Sequence, residues 1–141
     1  SGPIVEVCAG DGKLSYHLRQ RNVDIKPTDN YYWGNPRRDS LLVERLSCIK
    51  ALEKYNQRIV IASWIHTEDN YIGIEILKFP SVEYFINIQH DGLTLKAEDT
   101  AKTFKLESVR LGNVEQYGIC RADYHCIQPH TEVVLVRKPS M

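Results

Sequence analysis

Ile4-Val5-Glu6-Val7-Cys8-Ala9-Gly10-Asp11-Gly12-Lys13-Leu14 is the stretch of this chain whose residue types and spacing could do chemistry. A short apolar run carries one acid, Glu6, and breaks into a Gly-x-Gly turn before a segment patterned as a helix. A strand that feeds a helix through such a turn brings backbone close to a ligand, because glycine has no Cβ to hold the ligand off. The N–H groups at the start of the helix then offer hydrogen bonds to a polar or anionic group. The chemistry this points to is the binding of a small cofactor. Gly-x-Gly alone is also an ordinary strand-to-helix turn. A nicotinamide dinucleotide loop would place a third glycine at position 15, where this chain has Ser15.

The elements that must position this loop follow from the apolar pattern. Ile4–Ala9 predicts a buried parallel strand, and Leu14–Arg21 a short helix with Leu14 and Leu18 one turn apart. Val23–Thr28 predicts a second strand ending at Asp29, and Asn30–Ser40 a loop containing Gly34 and Pro36. Leu41–Leu46 fits a short strand, Cys48–Asn56 a helix, Arg58–Ile65 the clearest buried strand, and Asn70–Lys78 a helix. Glu83–Gln89 is a strand before the turn His90-Asp91-Gly92, Glu98–Phe104 a short helix, and Lys105–Leu111 with Thr131–Lys138 a closing strand pair. Alternating strands and helices predict an α/β fold with a mostly parallel sheet. Ligands bind such sheets at the carboxyl ends of the strands. Gly10 to Gly12, Asp29, Ser63 to His66 and Gln89 to Asp91 all fall at such ends, so they should gather along one edge.

Bulk properties bound the classes. A chain of 141 residues suits one domain. Eighteen basic and eighteen acidic residues cancel, which speaks against a strong general affinity for nucleic acid or an anionic membrane. No apolar run reaches the ~20 residues that span a bilayer. Cys8, Cys48, Cys120 and Cys126 lack the spacing of a disulfide framework, which suits a reduced, cytoplasmic protein. Ser1-Gly2-Pro3 has the look of a tag remnant, and a strand starting at Ile4 is what a fragment of a longer protein would show. Cys120, His125, Cys126 and His130 invite a zinc reading, but their spacing matches no paired ligand pattern and no metal is expected. Arg37-Arg38 reads as a solvated loop pair rather than an anion site.

Glu6-x-Cys8-x-Gly10-x-Gly12 resembles the first signature of the class I S-adenosylmethionine-dependent methyltransferases, an acid followed by three alternating glycines, with Cys8 in place of the first. Asp29 resembles the acid that binds the ribose hydroxyls in that family. The wider string Gly10 to Tyr16, Thr28-Asp29, Ser63-Trp64, Tyr84 to Gln89 and Asp91-Gly92 is similar to a small group of methyltransferase-like proteins, and the resemblance covers roughly residues 4–92. It implies a Rossmann-like sheet with helices on both faces and an antiparallel last strand. It implies S-adenosylmethionine as cofactor, held by Glu6, Cys8, Ala9, Gly10, Gly12, Asp29, Asn30, Ser47, Ser63 and Trp64. In this picture Glu6 supports the loop through its backbone N–H groups. Tyr31, Tyr32 or Trp33 packs on adenine, and Ser47 stands where a side chain would meet the adenine amino group.

The same resemblance implies methyl transfer to an acceptor that stays open among small molecule, protein and RNA. Ser63-Trp64-Ile65-His66 occupies the substrate-facing position without the Asn or Asp, prolines and aromatic of base-amine methylating members. His66 is the leading candidate base, followed by Asp91 and His90. The absent substrate motif, Cys8 and Ser47 leave a non-catalytic reading beside it: a cofactor-sensing or protein-interaction module on the same fold.

Overall fold

Val5 and Val7 point to one face of strand β1 (Ile4–Val7) and Glu6 to the other, and helices on the two sides of the sheet follow that alternation. The computed structural model describes residues 2–32, 43–90, 93–113 and 131–139. After β1 come helix α1 (Lys13–Arg19), β2 (Ile25–Asp29), β3 (Glu44–Arg45), α2 (Cys48–Tyr55) and β4 (Ile59–Ser63). A 3-10 turn (Thr67–Asp69) leads into α3 (Tyr71–Lys78), then β5 (Tyr84–His90), α4 (Ala97–Thr103), β6 (Glu107–Asn113) and β7 (Thr131–Arg137). The strands form one sheet in the order β3-β2-β1-β4-β5-β7-β6. β3 to β5 are parallel, and β7 runs antiparallel between β5 and β6. The predicted α/β class and antiparallel last strand therefore both hold.

Val5, Val7, Val60, Ala62, Phe85, Val134 and Val136 bury one face of the sheet against Ala51 and Leu52 of α2, Ile72 and Ile76 of α3 and Ala101 of α4. Glu6 faces the other side, where Ser15 of α1 bonds it. The chain leaves β1 toward β2 and later crosses back to β4 on β1's other side. That reversal opens a crevice at the carboxyl ends of β1 and β4, the usual ligand position in such sheets.

Local rules explain the bounds. Helix α1 stops at Arg19, short of the predicted Arg21, because Asn22 turns left-handed (φ 64°) and Val23 N–H folds back to the Leu18 carbonyl at 3.1 Å. Pro27, which has no N–H to give, sits in β2 where no described strand covers its outer side, since β3 joins only at Thr28 and Asp29. Ser47 caps α2 by accepting the Lys50 N–H at 3.3 Å, and Asn56 closes that helix in the left-handed region. Among the described residues no helix is long and apolar enough to cross a membrane.

Candidate cofactor site

A cavity of about 650 Å³ opens over the carboxyl ends of β1, β2 and β4, within the size range of small-ligand sites. Cys8, Ala9 and Gly10 line it from the first loop, Asp29 and Asn30 from the second, and Ser63, Trp64 and His66 from the third. Eight of the predicted site residues thus meet around one space. Gly12 and Glu6 do not line it. Ser47 lines a smaller adjoining cavity of about 160 Å³. Asp91, Trp33, the Arg37-Arg38 pair and the Cys120 to His130 run lie outside the described residues.

Cys8 (φ 55°), Gly10 (φ 60°) and Gly12 (φ 78°) are all left-handed, so the loop alternates its backbone at the three positions of the acid-and-glycine signature. Glycine adopts this region freely. Cys8 does so under strain, and Tyr31 (φ 59°) and Trp64 (φ 58°) are likewise left-handed just past β2 and β4. Three strand exits around one cavity therefore each hold a strained non-glycine residue. A Cβ on Gly10 would meet no atom within 4 Å, so its missing side chain is open space facing the cavity. A Cβ on Gly12 would come within 2.7 Å of Val43 Cγ2; that glycine serves packing, not the ligand. Burial, followed by the nearby Asp29 charge, pushes the Cys8 thiol up to about 12, so it stays protonated.

Asp29 ties the site together. One carboxylate oxygen accepts the Gly10 N–H at 2.8 Å and the other the Tyr31 N–H at 2.6 Å. Each oxygen keeps acceptor capacity for a further donor. Ala9 N–H reaches the Thr28 carbonyl at 2.9 Å, and Thr28 Oγ1 donates to the Glu6 carbonyl at 2.9 Å, so the two strand exits are laced at three points. Asp11, Asp29 and Asp69 line the cavity with one cation, Lys13, which pairs with Asp11 at 3.3 Å. The balance favours a ligand carrying positive charge.

Glu6 corrects the sequence reading. Its carboxylate does not reach the loop's N–H groups. It lies fully buried, accepts from Ser15 Oγ at 3.2 Å, and leaves Oε1 without a hydrogen-bond partner. The reason is strand alternation: β1 directs Glu6 toward α1, while the loop is held from β2 by Asp29. Burial raises the Glu6 carboxyl to about 7, with the Asp11 and Asp29 charges adding and the Ser15 bond opposing. The folded state then holds a proton that the unfolded chain releases near its ordinary value of 4.5. This contribution is full below about 4.5 and is lost as pH rises through about 7. Glu6→Gln removes the loss, which amounts to on the order of 3 kcal/mol at pH 8. Urea unfolding at pH 5 and pH 8 checks it: the parent should weaken across that interval and the variant hold steady. Equal falls in both would contradict the assignment.

The third exit carries Trp64, whose N–H bonds the Ile88 carbonyl at 3.0 Å, and His66, whose Nδ1 accepts the Glu68 N–H at 3.3 Å and caps the 3-10 turn. With Nδ1 so engaged, that nitrogen is not available as a base. Tyr32 lines the cavity, whereas the Tyr31 hydroxyl donates to the Val43 carbonyl at 3.3 Å.

Gln89 was expected at the ligand edge and instead is fully buried. Its carboxamide donates to Glu98 (2.9 Å) and Glu132 (3.0 Å) and accepts from Asn87 Nδ2 (3.0 Å) and the Ala97 N–H (2.9 Å). Every donor and acceptor is used, so Gln89 joins α4 to β5 and β7 rather than meeting a ligand. His90, beside it, is also buried and lines no part of the cavity. Tyr71, Asp69 and Glu75, which were not singled out from sequence, line the two cavities. The signal for Tyr71 and Glu75 is their i, i+4 spacing beside the buried stripe Ile72, Ile76.

No protein-family model and no curated protein matches the sequence. Solved structures do match the fold. A Streptococcus pneumoniae protein assigned as a tRNA (m1A22) methyltransferase superimposes with a TM-score of 0.58 at 13% identity, over 100% of this chain and 65% of that one. Its complex with S-adenosyl-L-methionine gives 0.55 at 12% identity, over 100% and 68%. The 23S rRNA methyltransferase ErmE gives 0.55 at 12% identity over 99% and 62%, and DNMT2 of Spodoptera frugiperda 0.58 at 13% over 98% and 50%. The chain thus spans about half to two thirds of these structures. With its single reversed strand β7 and its crevice between β1 and β4, the chain has the Rossmann-like fold of the class I methyltransferases.

Proposed function

We propose that the cavity binds S-adenosylmethionine and that the chain transfers its methyl group to an acceptor entering past Trp64 and His66. The observation that carries this is the left-handed Cys8-Gly10-Gly12 loop held by Asp29, with open space where a Gly10 side chain would be. Asp29 accepts the ribose hydroxyls with its remaining lone pairs, a charge-assisted contact. Gly10 leaves room for the methionine portion, and the acidic lining suits its ammonium and sulfonium charges. The bound cofactor supplies an electrophilic methyl group, and the protein's task is alignment. Ser63, Trp64, Asn30 and His66 shape the walls. The free thiols Cys8 and Cys48 suit a reducing, cytoplasmic setting.

Two of the structural neighbours are named for RNA substrates, which makes an RNA base one acceptor class; the acidic lining equally suits an amine on a protein or small molecule. The engagement of His66 Nδ1, which removes the obvious base, favours a second reading in which the cofactor is bound and sensed without turnover. Incubation with methyl-tritiated S-adenosylmethionine and separate RNA, protein and small-molecule fractions tests the choice. Label entering one fraction, and lost with Asp29→Ala, supports transfer. Cofactor binding with no label in any fraction supports sensing.

A further inference from the structure

The third wall of the larger cavity is built where β4 gives way to the 3-10 turn and α3. Trp64 leaves β4 left-handed with its N–H on the Ile88 carbonyl, and the Leu95 N–H holds the Ile65 carbonyl at 2.8 Å. The Asp69 N–H then reaches back to the His66 carbonyl at 2.8 Å, so the turn that carries Asp69 is fixed against the exit of β5. Asp69 is half-buried and lines the cavity with Trp64, Tyr71 and Tyr32, the last two 53% and 75% exposed. The other two acids of the lining serve the first two exits: Asp11 pairs with Lys13, and Asp29 holds the Gly10 and Tyr31 N–H groups. Asp69 is therefore the acid on the acceptor's side, and exposed Glu68 stands next to it in the turn. Aromatic rings beside a carboxylate suit an alkylammonium, because ring faces attract the cation and the carboxylate pairs with it. A nucleic-acid acceptor asks for the reverse, lysines and arginines for its phosphates. Lys13, the one Lys or Arg among the described residues that line the cavity, is already paired.

Resting on the cofactor reading above, we propose that the acceptor is an aliphatic amine, held among Trp64, Tyr71 and Tyr32 with its nitrogen paired to Asp69. Such an amine arrives as an ammonium, since its ordinary pKa is about 10. It gives one proton to water at the open mouth. Its lone pair then forms the new N–C bond as the bond from the methyl carbon to sulfur breaks, with that electron pair staying on sulfur. The products are S-adenosylhomocysteine and a methylammonium. Nitrogen thus regains positive charge during the step, beside the Asp69 carboxylate that stabilises it. No histidine base is required, because water takes the proton before attack.

The test saturates the chain with S-adenosylhomocysteine and follows three titrations by protein NMR. The probes are n-butylamine, 1-butanol as its uncharged analogue, and a capped pentapeptide with one lysine among alanines. Butylamine should bind about tenfold or more tightly than butanol, the scale of a charged contact backed by aromatic rings. Asp69→Asn, which keeps the shape and removes the charge, should bind the two alike, and Asp69→Glu should restore the preference. Both variants should keep the parent's affinity for S-adenosylhomocysteine, with melting temperatures recorded for all three proteins. In parallel, label from methyl-tritiated S-adenosylmethionine should enter an amine and not a mixed-sequence RNA oligonucleotide. Tighter binding of the peptide than of butylamine assigns the amine to a protein lysine, and no gain from the peptide assigns it to a free small molecule. Four results each overturn the proposal and leave the cofactor site standing: equal binding of butylamine and butanol by the parent, a preference that survives in Asp69→Asn, loss of S-adenosylhomocysteine binding by folded Asp69→Asn, and label in the RNA or in no acceptor. A parent chain that does not bind S-adenosylhomocysteine overturns the cofactor reading and this one with it.

Discussion

Asp29→Ala is expected to lower affinity for S-adenosylmethionine by a factor of about ten to a hundred or more and to destabilise the fold by about 2 kcal/mol. Both effects come from one carboxylate. Its two oxygens hold the Gly10 and Tyr31 N–H groups at 2.8 and 2.6 Å, and removing them strands two part-buried donors at the strand exits. The same oxygens are the acceptors available to a ribose diol on that side of the cavity. Asp29→Asn keeps an acceptor for one of the two N–H groups and turns its –NH₂ against the other, so it should lose part of the stability that Asp29→Ala loses, together with much of the affinity. Urea unfolding reads the first quantity and titration with the cofactor the second. Unchanged affinity in Asp29→Ala would remove Asp29 from the site.

Gly10→Ala should show the opposite split. An alanine at φ 60° costs roughly 1–2 kcal/mol of backbone strain, and its methyl clashes with nothing in the protein. The methyl does occupy space facing the cavity, so cofactor affinity should drop by about tenfold or more while the protein stays folded. Gly12→Ala provides the contrast: its Cβ would sit 2.7 Å from Val43 Cγ2, so stability falls further and the effect on the ligand is indirect. Gly10→Ala binding the cofactor as the parent does would mean that the methionine portion does not pass over this loop.

The sheet was legible because each strand announces itself locally. Apolar runs such as Ile59 to Ile61 and Val133 to Val136 mark strands β4 and β7, and α2 and α3 carry their own apolar stripes. Element ends were less legible, since they depend on single backbone conformations: Asn22 ends α1 early by turning left-handed. Asp29 and Gly10 could be placed side by side because the strand pattern, read with the resemblance to the family signature, puts them at adjacent strand exits. Glu6 and Gln89 were misjudged for one reason. Position along a strand is readable from sequence, but which face a polar side chain turns to, and which partner satisfies it there, depends on helices packed later in the chain. Glu6 finds Ser15 of α1, and Gln89 finds Glu98 and Glu132 of α4 and β7. Glu75 lies beyond such reading altogether, because the smaller cavity it lines exists only where α2 and α3 meet. The strain at Cys8 had a trace in the sequence, a cysteine where the family pattern has glycine, but its φ of 55° needed coordinates.

Isothermal titration of the unmodified chain with S-adenosylhomocysteine bears most directly on whether this crevice is a cofactor site. One-to-one binding with a Kd near the micromolar range, about −8 kcal/mol, is the predicted result. No heat and no shift in melting temperature at millimolar ligand would contradict it, and would leave a class I methyltransferase fold whose Cys8-Gly10-Gly12 loop holds only its own strands together.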